Sequence, residues 1–225
     1  MCDKNPEKIK EMFDKISPYY DKMNNFISLG LHNIVKKQAV KMLKIAPRSM
    51  VLDLCCGTGD FTKIIDKVYP RAKVIGLDNS VEMIKIAKNK NPKKAFLKCD
   101  CTDLGFGEGE FDAVTIGFGL RNIENRKKAL EEIRRVLKPD GKFLHLDFGY
   151  QNRLSAFFDF VVPFIAKYVV KDEENYKYLI ESKNSYPEPD ELIKEFQDAG
   201  FEFAEQKNFL RGTVSAILMR KKCEC

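Results

Sequence analysis

The residues best suited to chemistry lie in the run Val51-Leu52-Asp53-Leu54-Cys55-Cys56-Gly57-Thr58-Gly59-Asp60. An apolar stretch of strand length that opens into a glycine turn before a helix presents backbone N–H groups and lets a ligand approach the chain closely. Gly57 and Gly59 supply that turn, although two glycines alone would fit an ordinary strand-to-helix connection equally well. The acidic residues carry the difference. Asp78 follows the loop at about the 20-residue spacing that lets a carboxylate accept both ribose hydroxyls. A dinucleotide fingerprint would place a third glycine where Thr62 stands, so a pyrophosphate is less well housed. Asp53 near the end of the first strand and Asp100 after the third then suit a cationic, adenosine-bearing cofactor whose amine needs an acceptor.

Such residues must be held by a parallel sheet. From Met50 onward, short apolar runs alternate with amphipathic segments, which predicts strands over 50–54, 73–77, 95–99, 111–117 and 142–148 and helices over 61–68, 81–88 and 125–137. Lys138-Pro139-Asp140-Gly141 ends the last of these helices, because proline cannot continue it and glycine accepts turn geometry. Ahead of the sheet, Ile9, Met12, Phe13 and Ile16 fall at helical spacing until Pro18, which is expected to break the run. Beyond Gly149, the apolar stretch over 153–182 reads as an inserted lid, followed by a helix over 190–199. Two extended runs, 201–209 and 213–219, flank Arg211-Gly212 as a hairpin at a sheet edge. The expected organisation is one α/β domain over 1–225. It comprises an N-terminal helical layer (1–47), a cofactor-binding core (48–149), a helical lid (150–186), and a final helix and hairpin (187–225).

Composition excludes several classes. The net charge of +6 is dispersed, with no block of like charges and no basic stripe interleaved with aromatics, so a nucleic-acid partner is not expected. The 7 cysteines include no C-x-x-C pair, which points to buried thiols in a reducing cytoplasm with no metal site. His145, in mid-strand, reads as a core histidine. The most apolar stretch, 154–170, is interrupted by Asp159, Pro163 and Lys167 and falls short of the ~18 apolar residues that a membrane span needs.

The motifs then carry a resemblance. Asp53 through Gly59 resembles the first motif of the class I S-adenosylmethionine-dependent methyltransferases, which implies a Rossmann-like doubly wound sheet of seven mostly parallel strands with the last antiparallel. Tyr20-Asp21-Lys22-Met23-Asn24-Asn25-Phe26-Ile27-Ser28-Leu29-Gly30-Leu31-His32 is similar to the N-terminal signature of the ubiquinone/menaquinone biosynthesis C-methyltransferases. Phe118-Gly119-Leu120-Arg121-Asn122, Arg135-Val136-Leu137-Lys138-Pro139 and Tyr176-Lys177-Tyr178-Leu179-Ile180-Glu181-Ser182 resemble further motifs of that family.

The resemblance implies S-adenosylmethionine as cofactor, held by Asp53, Gly57, Thr58, Gly59, Asp78, Asn79, Met83, Asp100, Cys101 and Gly117. It implies methyl transfer to a ring carbon of a prenylated quinol, with Arg121 steadying a developing phenolate, Tyr20 beside it, and Asn24, His32 and Asn122 lining the substrate pocket. The apolar run 157–165 would line a channel for the tail. Peripheral contact with a membrane and a homodimer are compatible with that reading. Val35, Asp140, Gly149, Arg211-Gly212 and Leu218 depart from the family's pattern, so another small-molecule acceptor stays open. A non-catalytic cofactor-binding module and an NAD-binding fold stay open beside it.

Overall fold

A computed structural model describes residues 4–28, 30–156, 159 and 173–222. Seven strands form one sheet in the order β3-β2-β1-β4-β5-β7-β6. These are β1 (Met50–Leu54), β2 (Lys73–Asp78), β3 (Ala95–Lys98), β4 (Phe111–Gly117), β5 (Leu137–Phe148), β6 (Phe201–Phe209) and β7 (Val214–Lys221). β7 runs antiparallel to both its neighbours, and the other pairs are parallel. The chain reverses its direction of travel across the sheet between β1 and β4, and the crevice beyond the carboxyl ends of those strands is where such sheets bind ligands.

The sheet is accompanied by the helices α1 (Pro6–Ser28), α2 (Leu31–Met42), α3 (Asp60–Val68), α4 (Val81–Lys90), α5 (Arg126–Val136), α6 (Glu173–Asn184) and α7 (Pro189–Asp198). Side-chain alternation along β1 explains why both faces are apolar. Val51 joins Ala113, Leu144, Phe61 and Ile65 on one face, while Leu52 and Leu54 join Ile116, Ile133, Phe143 and Phe196 on the other. Ser80 and Asn125 cap α4 and α5 by accepting from Met83 N and Lys128 N, each at 3.0 Å.

Two expectations need correction. Pro18 does not break the first helix, and α1 runs unbroken to Ser28. The N–H that proline lacks would have served Asp14 O, and the Ser17 hydroxyl donates there instead, at 2.9 Å. The 125–137 helix ends one residue early, and β5 starts at Leu137 rather than at 142. Phe111 pairs with Leu137 and Ala113 with Lys142, so 138–141 loop out of the ladder, with Pro139 unable to donate and Asp140 at φ 57°. The expected antiparallel hairpin does close the sheet edge, with β6 at the rim and β7 inside it. The apolar run 157–165, apart from Asp159, lies outside the described residues, as does much of the expected lid.

Candidate active site

The loop after β1 is held by strained backbone and by Asp78. Cys55, Gly57 and Gly59 take positive φ values of 51°, 54° and 82°, a region that favours glycine at two of the three positions. Asp78, at the end of β2, accepts from Gly57 N at 2.8 Å and from Ser80 N at 2.9 Å, and Cys56 N donates to Leu77 O at 2.9 Å. Burial pushes the Asp78 carboxyl up, and those backbone N–H groups oppose the shift.

Two clefts open from this loop. The first is lined by Asp78, Asn79, Met83, Asp100 and Cys101 from the sheet side and by Ile9 and Phe13 from α1. The second is lined by Met23, Asn24, His32, Lys36, Arg121 and Phe148, with Leu179 and Lys183 from α6. Tyr20, Cys55, Gly57, Gly117 and Phe118 belong to both, so one wall separates the two spaces. Gly117 is tight as well as shared, since an added Cβ would stand 3.2 Å from the Phe61 ring.

The first cleft suits S-adenosylmethionine on its donor set. Asp78 keeps lone pairs for ribose hydroxyls beyond its two backbone bonds. Met83, Ile9 and Phe13 offer apolar surface for adenine, and Asp100, which accepts from Thr102 N at 2.8 Å, lines the same cleft. The Cys55 thiol is held well above the ordinary thiol range by its hydrogen bond to Cys101 and by burial, so it is a neutral wall and not a nucleophile.

In the second cleft Arg121 is nearly fully buried, and its Nη1 donates to Asp147 Oδ1 at 2.9 Å and to Phe118 O at 2.6 Å. Its guanidinium lies over the Phe148 ring at 5.2 Å. Arg121 Nε and Asp147 Oδ2 have no hydrogen-bond partner among the described residues. Burial raises the Tyr20 phenol pKa against a side-chain hydrogen bond from Asn24, which keeps the hydroxyl protonated. His32 Nδ1 meets the Ser28 hydroxyl at 2.5 Å, and burial together with Lys36 lowers its pKa, which favours the neutral ring.

The structure moves three expected cofactor residues away from the first cleft. Asp53 lines neither cleft, because alternation along β1 turns it toward α3. Its carboxylate accepts from Thr62 Oγ1 at 2.6 Å and Thr115 Oγ1 at 2.8 Å. Gly59 faces Phe96, whose ring carbon would lie 2.9 Å from an added Cβ. Thr58 lines the second cleft and donates to Asp21 at 2.6 Å. Asn122, expected in the substrate pocket, lines the first cleft instead, and its Oδ1 accepts from Tyr178 OH at 3.2 Å. His145 is a core residue, with Nε2 3.1 Å from Tyr186 OH.

Sequence reasoning missed Lys36, Asp147, Lys183 and the Lys90 ion pairs with Asp21 and Asp60 at 2.5 and 2.6 Å. Lysine at helical spacing reads as solvent-facing, yet Lys36 falls among the buried positions Val35, Ala39 and Val40 of α2. That stripe was the available signal.

A sheet of this order, with one cleft at its switch point lined by Asp78, Met83 and Asp100 and a second across a shared wall, is the fold of the class I S-adenosylmethionine-dependent methyltransferases. Solved structures share the fold. One is an S-adenosylmethionine-dependent methyltransferase from Thermotoga maritima, described as a possible histamine N-methyltransferase (TM-score 0.70, 21% identity, 94% of this chain and 99% of that chain). Another is a complex of the Haloferax volcanii Trm112 methyltransferase activator with a putative methyltransferase (TM-score 0.73, 18% identity, 94% and 98%). The profile of the ubiE/COQ5 methyltransferase family matches residues 1–221, and the chain belongs to that family. Its relatives include the demethylmenaquinone methyltransferase of Staphylococcus carnosus (39% identical over 228 residues, 97% of this chain and 95% of that protein). That of Listeria welshimeri is 36% identical over 237 residues, with both chains fully covered.

Proposed function

We propose that this protein methylates a ring carbon of a prenylated quinol, with demethylmenaquinol as the acceptor that its relatives favour. The observation behind this is the shared wall of Tyr20, Cys55, Gly57, Gly117 and Phe118, which brings a nucleoside-type cleft against a largely apolar one that holds a guanidinium. S-adenosylmethionine, when bound, would supply a methyl group whose S–C bond breaks as the bond to the ring carbon forms, leaving the neutral thioether, while the ring C–H proton would pass to water.

Asp78 and Asn79 would hold the cofactor's ribose, Met83, Asp100 and Cys101 its adenine, and Gly117 leaves room where the two clefts meet. Holding the acceptor ring in line across that wall replaces a bimolecular encounter, an effect worth about 7–11 kcal/mol of barrier. A phenol ring reacts at carbon when its oxygen gives up charge to the ring, so a group that stabilises the phenolate speeds the step. Arg121 serves as that group because a guanidinium stays charged and Asp147 and Phe118 O fix its plane. Tyr20 donates from the shared wall with Asn24 behind it, and His32 and Lys36 close the far side.

The test is incubation of the purified protein with S-adenosylmethionine carrying a labelled methyl group and demethylmenaquinol. Label on the naphthoquinol ring carbon supports the reading. Turnover of other phenols with none of this quinol overturns it.

A further inference from the structure

Around the mouth of the second cleft, α1 and α2 expose large apolar side chains. Tyr19 and Phe26 on α1 and Leu31 and Ile34 on α2 are 53%, 56%, 41% and 59% exposed, unusually high for residues of this size. Their helical neighbours Met23, Ile27, His32 and Val35 line the cleft, so the exposed residues form its rim. Lys15, Tyr19, Lys22 and Phe26 follow i, i+4, i+7, i+11 spacing and share one face of α1. Leu31, Ile34, Lys37 and Lys41, at i, i+3, i+6, i+10, fall within about a third of the circumference of α2. Of the 6 lysines from Lys15 to Lys44, Lys36 is buried and Lys44 pairs with Glu205 at 3.6 Å, which leaves Lys15, Lys22, Lys37 and Lys41 on the exposed faces; the single acidic residue of the segment, Asp21, pairs with Lys90 at 2.5 Å. The rim is therefore apolar and aromatic, edged with cations and free of an exposed carboxylate within that segment.

We infer that this rim docks on an anionic lipid surface and delivers an apolar-tailed substrate from the bilayer into the second cleft. The inference rests on the quinol reading for its purpose and on the rim's own chemistry for its partner. Aromatic and aliphatic side chains interleaved with lysine on short helices suit the headgroup boundary, where the rings and methyl groups enter and the ammonium groups meet lipid phosphates. Contact through surface aromatic, aliphatic and lysine side chains is reversible and depends on salt. The rim and the cleft floor are continuous along two helices, which lets a long apolar tail stay covered while the ring reaches Arg121.

The experiment is co-sedimentation of the full chain with phosphatidylcholine vesicles, with and without phosphatidylglycerol. It compares the protein with F26S/I34S and K22E/K37E, none of which touches the residues assigned to the reaction. The expected result is binding to the anionic vesicles that weakens at ~1 M salt, where the Debye length is about 3 Å. Each double variant should lose binding by roughly tenfold or more, with the melting temperature unchanged. Methylation of a long-tailed quinol in vesicles should fall in parallel, while that of a short-tailed quinol in buffer stays within about twofold.

Equal sedimentation of all three proteins overturns the proposal. So does a dimer that the variants split while vesicle binding holds, because the rim would then be an interface between copies. If the protein sediments as expected but methylates neither quinol, the quinol reading fails and the lipid surface stands.

Discussion

Replacing Arg121 with lysine separates its structural work from its catalytic work. In the folded protein Nη1 already serves Asp147 at 2.9 Å and Phe118 O at 2.6 Å, so the stabilising role falls to the rest of the planar fork. Lysine keeps a cation for Asp147 but has no second arm to offer the acceptor. Deleting a partner of a buried ion pair costs ~3–5 kcal/mol, and R121K should cost much less because the charge remains. At ~2–4 °C per kcal/mol for a chain of this size, the melting temperature should fall by less than about 6 °C. Removing one donor to a developing oxyanion costs about 10²–10³ in kcat, or ~3–4 kcal/mol. Binding of S-adenosylhomocysteine should change little, because Arg121 lines the second cleft and not the first. Single-turnover methylation and calorimetry read the two effects separately. A kcat within about threefold of the parent, or a loss that appears wholly as weaker cofactor binding, would refute the assignment.

Asp78→Ala removes the ribose acceptor and releases Gly57 N and Ser80 N, so S-adenosylhomocysteine affinity measured by calorimetry should drop by roughly 100-fold. Asp53 is pushed up to about 6 from 3.8 by burial. A carboxyl whose pKa rises on folding favours the native state most at low pH, and that contribution, ~3 kcal/mol, is lost as pH rises from about 4 to 6. D53N should flatten the dependence of stability on pH across this window, as read by urea melts. Tyr186→Phe strips the partner from His145 Nε2, whose Nδ1 is already unpartnered among the described residues. Burial pushes the His145 pKa down to about 3, so the ring stays neutral. The melts should show a cost of ~1–3 kcal/mol with kcat unchanged. A parallel fall in kcat would place the pair in the reaction.

Much of this protein was legible in order of sequence. The Val51 to Asp60 run, Asp78 and Asp100 carry their meaning in spacing alone, because a strand, a turn and a helix N-terminus are local objects. Alternation of apolar segments also announced the parallel sheet. The tertiary structure decided what each carboxylate and cation faces. Asp53 lies within the glycine motif yet points at Thr62 and Thr115, since strand alternation assigns it to the α3 side. Lys36 and Asp147 read as surface and strand residues, and only packing shows one on the cleft wall and the other neutralising Arg121 from β5. Pro18 looked like a stop because its missing N–H is a local fact, while the Ser17 hydroxyl that replaces it is visible only once the helix is built. Local chain chemistry thus determined the glycine turn after β1. The wall shared by two clefts depends on contacts between α1, β1 and β4, residues far apart in sequence, and only the folded chain could create it.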